Sequence, residues 1–389
     1  MKCKFIMGRC LLLNRAYFDN SATTFLCEEA KEAIFSACDV GGNPSSLHTL
    51  GTIASEMINS ARETIAKSIG ALSQEIYFTS GGTESNNMAI VGAVKALHRR
   101  GKKIVTTAFE HSSVGATMKQ LEADGFSVVY LSPDESGTVP ISAFLDAIDE
   151  NTILVSCMSV NNETGAFLPI DKIKKAIKAK NSPAYFHCDL TQSYLKYPVN
   201  LRKIDADLIS FSAHKIHGPK GVGALYIKKG VRILPRTFGG EQENSLRPGT
   251  EPTILINGFG AAVESFGSAD ENAKKVREIK NYIIEKLQGF DDIKINSPKN
   301  SSDYNLSLSV LGIRSETMLH FLEAKGVFVS SGSACAKGKP SHVLTTLKFD
   351  KRRADSTIRI SFSKFNTIAQ ADMLIDGILE ARDTLIKSK

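Results

Sequence analysis

Three side chains capable of acid–base or covalent chemistry follow apolar runs that are typical of buried strands. Asp189 ends one such run, His111 follows another, and Lys215 comes directly after a third. A histidine transfers protons near neutral pH, and a lysine desolvated at the mouth of a sheet can form a Schiff base with a carbonyl compound. Each residue also has a structural interpretation, because Asp189 and His111 can cap helices and Lys215 can face solvent.

A pair of glycines at the end of a further apolar run predicts an anion-binding turn. The segment 80–85 reads SGGTES and opens a helical pattern. Gly82 and Thr83 therefore lie where the first N–H groups of a helix attract phosphate. The spacing fits neither of the glycine motifs that bind dinucleotides or nucleoside triphosphates. A plain helix-capping turn is the alternative interpretation.

More polar side chains follow the same strand ends. Gln192 lies three residues after Asp189, Ser212 and His214 follow the next strand, and Asn162 lies within SVNNETG. In an open α/β sheet, ligands bind at the carboxyl ends of the strands. We therefore expect these side chains to line one crevice, although a simple turn explains SVNNETG equally well.

Cys335 differs from the other cysteines in its surroundings. It lies in the Gly-, Ser- and Lys-rich segment 329–343, where Lys337 and Lys339 favour its thiolate form. Most of the cysteines are expected to be small buried residues. Because no CxxC pair occurs, we predict neither a disulfide framework nor a zinc site, and reduced thiols indicate the cytoplasm. A thiol without a chemical role is the alternative interpretation of Cys335.

Alternating helical and β-rich patterns must position these residues. Helical periodicity is present over 51–70, 84–100, 112–124, 141–149 and 170–180. The β-rich runs are 76–80, 103–108, 127–131, 152–160, 184–190, 207–213 and 221–227. Strands that alternate with helices predict βαβ units and a mostly parallel sheet. The last two strands are expected to be antiparallel because only a short turn joins them.

Beyond residue 250 the pattern changes to that of a smaller α+β lobe. A long helical region is expected over 253–289, followed by strands, a helix at 315–325 and a terminal helix. The strand run TIRISFS (357–363) contains Arg359. An arginine within a strand predicts a carboxylate partner or ligand.

The composition excludes several classes of protein. The 389 residues are 42% hydrophobic and 23% charged, which is typical of a folded chain of about two domains rather than a disordered one. The net charge of +7 comes from scattered lysines and arginines, so we predict a solvated surface and no nucleic-acid partner. No apolar run approaches the length that spans a bilayer, so we predict no membrane insertion.

The candidate residues together match the needs of one cofactor. They offer a phosphate-binding turn, a Schiff-base lysine, an acidic partner for a ring nitrogen and a histidine that can stack on a flat ring. Pyridoxal phosphate requires this set, because the protein must hold its phosphate, ring nitrogen and aldehyde separately. A dehydrogenase is disfavoured because GxGxxG is absent.

The sequence resembles the group I cysteine desulfurases, which are pyridoxal-phosphate enzymes of fold type I in the class V aminotransferase group. The resemblance extends from YFDNSATT (17–24) to TIRISFS (357–363). Eight motifs occur in the order of the family: GGNPSS, FTSGGTESNN, EHSSV, VNNETG, HCDLTQS, SFSAHKIHGPKGVGALY, LRPGTEP and SSGSAC. One motif alone is weak, whereas eight in order are highly specific.

The resemblance implies an α/β protein with the fold of type I pyridoxal-phosphate-dependent transferases. A large cofactor-binding domain with a mostly parallel seven-stranded sheet is expected at 22–262. A smaller α+β domain is expected to combine 1–21 with 263–389 and to carry the loop of Cys335.

The resemblance also implies roles for the site residues. Lys215 binds the cofactor as a Schiff base, Asp189 pairs with its ring nitrogen, and His111 stacks on the ring and transfers protons. Further contacts to the cofactor are expected from Gly82, Thr83, Asn162, Gln192, Ser212, His214 and, from the neighbouring subunit of a homodimer, Thr250. Asn43 and Arg359 are expected to bind the substrate carboxylate.

The implied activity is removal of sulfur from L-cysteine, which yields L-alanine and a persulfide on Cys335. The sulfur then passes to an acceptor protein, either an iron–sulfur cluster scaffold or a tRNA- or cofactor-thiolating enzyme. No resident metal is expected, and Cys335 is a candidate ligand only of a transferred iron–sulfur cluster. The alternatives are a selenocysteine lyase, an aminotransferase and a non-catalytic partner subunit. Cys335 argues against the first two, and Lys215 together with Cys335 against the third.

Overall fold

The computed structural model describes residues 15–331 and 341–385 of the protein. The strands are, in chain order, β1 (Ala16–Tyr17), β2 (Ile76–Thr79), β3 (Lys103–Thr107), β4 (Ser127–Leu131), β5 (Thr152–Met158), β6 (Tyr185–Asp189), β7 (Leu208–Ser212), β8 (Gly223–Ile227), β9 (Ile293–Ile295), β10 (Asn305–Val310), β11 (Val327–Phe328), β12 (Ser330–Ser331) and β13 (Thr357–Ser361). The α-helices are α1 (Glu28–Cys38), α2 (Thr49–Ile69), α3 (Gly82–Leu97), α4 (Ser112–Ala123), α5 (Ile141–Ala147), α6 (Ile170–Ala179), α7 (Leu201–Ile204), α8 (Thr253–Glu264), α9 (Ala269–Leu287), α10 (Ser315–Ala324), α11 (His342–Thr346), α12 (Lys351–Asp355) and α13 (Ile368–Thr384).

The chain divides into two compact units. The larger unit consists of Thr24–Asn161 and Phe167–Asp270. The smaller unit combines the described residues up to Thr23 with Asn162–Ala166 and with those from Glu271 onward. The short segment Asn162–Ala166 therefore belongs to the smaller unit although its sequence neighbours belong to the larger one.

A seven-stranded sheet forms the centre of the larger unit, with the strand order β2-β8-β7-β6-β5-β3-β4. Strand β8 is antiparallel to both of its neighbours, and the other pairs are parallel. Strands covered on both faces have near-continuous apolar runs, and every residue of β5 is buried. The structure confirms the predicted mostly parallel seven-stranded sheet and its antiparallel last pair.

Helices α3 and α4 bring their N-termini to the edge of the sheet where the predicted site residues lie. Helix α3 starts directly after β2, and its apolar residues, such as Met88 and Val94, are buried against Ile104 and Leu154 of the sheet. Helix α4 packs Met118 into the same cluster. None of the described helices is long and apolar enough to cross a membrane.

The smaller unit contains its own antiparallel sheet, with the strand order β12-β13-β10-β9. All residues of β10 and β13 are buried, including Arg359 on β13. Strand β1 pairs in parallel with β11. The α+β character expected for the C-terminal part of the chain is present in this unit.

The helical region predicted over 253–289 is present, but it is not one continuous helix. The structure has two helices there, α8 and α9, separated by a short break. Gly267 in the break has a φ of +81°, a backbone conformation that glycine adopts without steric cost and that cannot continue a right-handed helix.

A buried ion pair anchors a loop of the larger unit to β2. The guanidinium of Arg62 on α2 donates to both carboxylate oxygens of Glu243, at 2.8 and 2.6 Å. The same carboxylate accepts the backbone N–H of Phe78 at 2.8 Å. Glu243, Asn244 and Ser245 have φ values of 46°, 53° and 62°, which are unfavourable for residues with a side chain. The ion pair therefore holds a strained turn in place.

Replacing Arg62 by Met is expected to lower the free energy of unfolding by about 3–5 kcal/mol, because Glu243 stays buried without its partner. Lys67→Met is the matched control on the same helix. Lys67 pairs with Glu63 where their side chains are 74% and 57% exposed, so its loss is expected to have no measurable effect. Urea unfolding of both variants checks this, and equal destabilisation would contradict it.

Candidate active site

Several predicted site residues lie at the edge of the larger unit's sheet where β2, β6 and β7 end. Asp189 is the last residue of β6, and Ser212 is the last residue of β7. Gly223, the first residue of β8, pairs with both Ser212 and Thr79. A Cβ atom on Gly223 would lie 2.7 Å from the Cα atom of Gly81. Glycine is therefore required for these segments to approach one another.

Gly81 and Gly82 form a cradle at the N-terminus of α3. Gly81 has a φ of +149°, which residues with a side chain rarely adopt. A Cβ built on Gly82 lies 3.1 Å from Thr191 Oγ1 and 3.6 Å from Ser212 Cβ. Both hydroxyls, Thr191 Oγ1 and Ser212 Oγ, are buried and make no hydrogen bond within the described residues. Two unused hydroxyls beside a helix N-terminus fit a phosphate group.

Two N–H donors hold the carboxylate of Asp189, which is only 5% exposed. Its Oδ1 accepts the backbone N–H of Thr191 at 2.9 Å, and its Oδ2 accepts the side-chain amide of Asn86 at 2.8 Å. A carboxylate has further lone pairs beyond these two bonds. It can therefore also pair with a protonated ring nitrogen.

A chain of hydrogen bonds joins Asp189 to His111. The amide of Asn86 also donates to the hydroxyl oxygen of Ser113 at 2.9 Å, and this hydroxyl lies 2.8 Å from His111 Nδ1. His111 is the N-cap of α4, and its Nδ1 accepts the backbone N–H of Ser113 at 3.2 Å. His111 thus caps the helix, as one interpretation of the sequence predicted, and it is linked to Asp189 through Ser113 and Asn86.

Lys215 is positioned by a 3₁₀ turn, Ala213–Lys215, that follows β7. The N–H and the hydroxyl of Thr24 both donate to the carbonyl of His214, at 2.9 and 3.1 Å. The Thr24 hydroxyl oxygen accepts the N–H of His217 at 2.8 Å. Burial, together with the positive charge of Lys215, lowers the pKa of His214 to about 3. The His214 ring is therefore neutral at physiological pH.

Glu110 is a buried titratable residue beside these groups that sequence reasoning missed. It is 2% exposed. It accepts the Thr107 hydroxyl at 2.6 Å and the Met158 N–H at 3.0 Å. Burial, together with the nearby charge of Asp189, raises the pKa of Glu110 to about 8 against the opposing effect of these hydrogen bonds. Glu110 is therefore protonated at neutral pH.

In the smaller unit, Arg359 contacts Asn162 and Asp19. Arg359 donates to the Asn162 carbonyl at 3.3 Å and to the Asp19 carboxylate at 2.8 Å. Asp19 is thus the carboxylate partner that the strand position of Arg359 led us to expect. The Nε atom of Arg359 is buried and has no hydrogen-bond partner within the described ranges. A buried donor of this kind is suited to a carboxylate ligand.

Glu163, also in the smaller unit, contacts Ser341, a described residue of the Gly-, Ser- and Lys-rich segment 329–343. Its Oε1 accepts the hydroxyl of Ser341 at 2.8 Å. Burial raises the pKa of Glu163 to about 7, against the opposing effects of the Ser341 hydrogen bond and the charge of Arg359. Cys335 itself lies outside the described residues.

The remaining predicted site residues differ in exposure. Gln192 is buried, whereas Thr83, Asn43 and Thr250 are exposed. Within the described residues, no hydrogen bond joins Asn43 or Thr250 to the network around Asp189.

Sequence reasoning also missed Asn86, Ser113 and Thr191, although each lies in a motif that it quoted. They belong to FTSGGTESNN, EHSSV and HCDLTQS respectively. The sequence feature that could have identified them is a polar side chain at or near the end of a strand. Many polar side chains share this feature, and only the packed structure distinguishes these three residues from the others.

The described cysteines follow the expectation of buried residues in most cases. Cys27, Cys157 and Cys188 are buried, and Cys38 is exposed. Burial raises the pKa of the Cys157 and Cys188 thiols well above the usual value, so both remain thiols at neutral pH. In the part of the chain that the structure describes, no group of three His, Cys, Asp or Glu residues is arranged to hold a metal ion.

Comparisons with known proteins identify relatives over almost the whole chain. The family model Aminotransferase class-V matches residues 16–374. The cysteine desulfurase IscS of Dictyoglomus turgidum (strain DSM 6724 / Z-1310) is 41% identical over 366 residues, which cover 92% of this chain and 92% of the relative.

Two solved structures are similar to this chain in both fold and sequence. A structure described as a NifS-like protein has a TM-score of 0.89 at 37% identity and covers 95% of this chain and 100% of its own. A structure described as SspA in complex with cysteine has a TM-score of 0.79 at 35% identity and covers 90% of this chain and 100% of its own.

Glu110→Gln is expected to flatten the pH dependence of stability. Between the ordinary pKa of 4.5 and the folded value of about 8, the folded protein keeps a proton that the unfolded chain has lost. Glu110 therefore makes the free energy of unfolding fall as pH rises, by up to about 1.4 kcal/mol per pH unit. Unfolding of wild type and variant from pH 5 to pH 8 checks this, and parallel slopes would show that Glu110 does not titrate there.

Proposed function

This chain belongs to the class V aminotransferase family and, within it, to the cysteine desulfurases, and we propose that it removes the sulfur atom of L-cysteine and releases L-alanine with the help of pyridoxal phosphate. The position of Asp189, His111 and Lys215 at one edge of one sheet supports this activity most directly. The relative described as in complex with cysteine agrees with L-cysteine as the substrate.

The residues at this edge fit pyridoxal phosphate. The glycine cradle, the Thr191 and Ser212 hydroxyls that lack partners in the described chain, and the neutral His214 would hold its phosphate. Asp189 would pair with its ring nitrogen, and Lys215 would bind it covalently. Further contacts are proposed for Gly82, Thr83, Asn162 and Gln192. When bound, the cofactor supplies an electron sink for the charge that develops at the α-carbon of the substrate.

The chain's own residues bind the substrate and move its protons. Arg359 and Asn43 bind the substrate carboxylate. The buried Nε of Arg359, which has no partner among the described residues, supports this role because a carboxylate would satisfy it. His111 transfers protons between the substrate and its surroundings.

Cys335 receives the sulfur atom. Its thiolate forms a bond to the sulfur of L-cysteine while the bond from that sulfur to the β-carbon breaks. The electron pair stays on carbon and takes up a proton, which yields the methyl group of L-alanine. The persulfide on Cys335 then passes its outer sulfur to an acceptor protein, an iron–sulfur scaffold or a tRNA- or cofactor-thiolating enzyme.

The active form is a homodimer in which Thr250 of one subunit contacts the cofactor phosphate of the other. Thr250 is exposed in the single chain. Large apolar side chains of the same unit are also exposed, with Phe35 at 71%, Leu47 at 101% and Phe238 at 82%. Exposed apolar groups of this size are typical of a surface that another subunit covers.

Cys335→Ser is expected to lower alanine formation from L-cysteine by at least about 100-fold, because a hydroxyl is a far weaker nucleophile than a thiolate. The cofactor absorbance should stay unchanged. Cys38→Ser, at an exposed cysteine, is the matched control and is expected to keep wild-type activity. Equal alanine formation by Cys335→Ser and wild type would remove Cys335 from the reaction.

Dimers of two different variant chains test whether Thr250 contacts the cofactor that is bound by the neighbouring subunit. Thr250→Val should weaken cofactor affinity about tenfold through the loss of one hydrogen bond to phosphate, and Lys215→Ala should abolish covalent binding. In a dimer of one chain of each kind, the site with an intact Lys215 also receives the partner's Thr250. Spectroscopic titration should therefore find one site of wild-type affinity per mixed dimer. A weakened site there would show that Thr250 acts within its own subunit.

A further inference from the structure

The hydrogen bonds of Asn86 connect two groups that the proposed reaction uses separately. The amide nitrogen of Asn86 lies 2.8 Å from Asp189 Oδ2 and 2.9 Å from Ser113 Oγ. The Ser113 hydroxyl lies 2.8 Å from His111 Nδ1. Asn86 and Ser113 are 1% and 8% exposed, so bulk water does not compete for these bonds.

The donor and acceptor of each bond follow from the neighbours. A carboxylate accepts hydrogen bonds, and the Asn86 amide turns its NH₂ group toward Asp189 Oδ2. The second hydrogen of that NH₂ group points at Ser113 Oγ, which leaves the Ser113 hydroxyl hydrogen for His111 Nδ1. The opposite amide orientation would set an oxygen against the carboxylate, which electrostatic repulsion excludes. Asn86 Oδ1 accordingly has no partner among the described residues.

A backbone hydrogen bond also indicates that His111 Nδ1 is an acceptor. The Ser113 N–H also points at His111 Nδ1, at 3.2 Å. A nitrogen approached by two donors carries no proton of its own. The neutral imidazole therefore carries its hydrogen on Nε2.

We propose that Asn86 is a positioning residue whose amide, through Ser113, fixes the tautomer of His111 and joins it to Asp189 in one hydrogen-bonded unit. The roles of Asp189 and His111 in catalysis rest on the proposed function, whereas the relay itself rests on the distances above. Because a hydroxyl that accepts a hydrogen bond donates a stronger one, the effect of Asn86 extends to His111 without direct contact.

The ¹⁵N chemical shifts of the His111 ring in the histidine-labelled holoenzyme test this relay. The chain has eight histidines, and His111→Gln assigns the resonances. Wild type is expected to show a protonated Nε2 and a hydrogen-bonded, unprotonated Nδ1. Ser113→Ala should shift the Nδ1 resonance downfield, Ser113→Thr should restore it, and Asn86→Ala should shift it in the same direction by a smaller amount. Ser112→Ala, at the exposed neighbouring serine, should leave it in place.

Either of two results would overturn the proposal. One is a proton on Nδ1 of neutral His111 in wild type. The other is a Nδ1 resonance that Asn86→Ala leaves unchanged, since a residue that supports only Asp189 would give that result.

Kinetics form the second arm of the experiment. If the relay assists proton transfer, kcat for alanine formation should fall about tenfold in Asn86→Ala and Ser113→Ala with little change in KM, and Ser113→Thr should recover it. A wild-type enzyme that forms no alanine but shows the expected shifts would refute the proposed function and leave the relay intact.

Discussion

A carboxylate buried at the end of the central strand of a sheet requires hydrogen-bond donors, because an uncompensated buried charge costs several kcal/mol. Asp189 occupies that position on β6. One donor comes from the turn that follows the strand, and the other comes from Asn86 on α3. The apolar residues that pack α3 onto the sheet therefore have a second consequence. They hold one amide group opposite one carboxylate, and the same amide donates to Ser113, whose hydroxyl lies 2.8 Å from His111 Nδ1.

The edge of the sheet that carries the candidate site also requires backbone segments to approach one another closely. Gly223 allows β8 to pass the turn at Gly81, where a Cβ atom would meet backbone at 2.7 Å. Any larger residue at Gly223 would collide with the Gly81 backbone of the glycine cradle. The proposed phosphate-binding role of the turn therefore depends on a residue in an antiparallel strand that has no polar side chain.

Burial keeps several titratable groups near the site uncharged at neutral pH. It lowers the pKa of His214 to about 3 and that of His187 to about 4, and it raises the pKa of Glu110 to about 8. His187 lies between the hydroxyls of Ser156 and Ser210, at 2.9 and 3.0 Å. These groups act at neutral pH as hydrogen-bond donors and acceptors, so they add no net charge beside Asp189.

The sequence by itself determined the alternation of strands and helices, the antiparallel last pair of the sheet and the strand ends at which Asp189 and Lys215 lie, because apolar periodicity and turn residues are local properties. It did not predict the break at Gly267, since the flanking segments are both helical. Only the tertiary structure decided that Asn86, Ser113 and Thr191 belong with these residues. A hydroxyl or an amide acquires a role from the groups that packing places within about 3 Å of it, and residues distant in the sequence supply those groups.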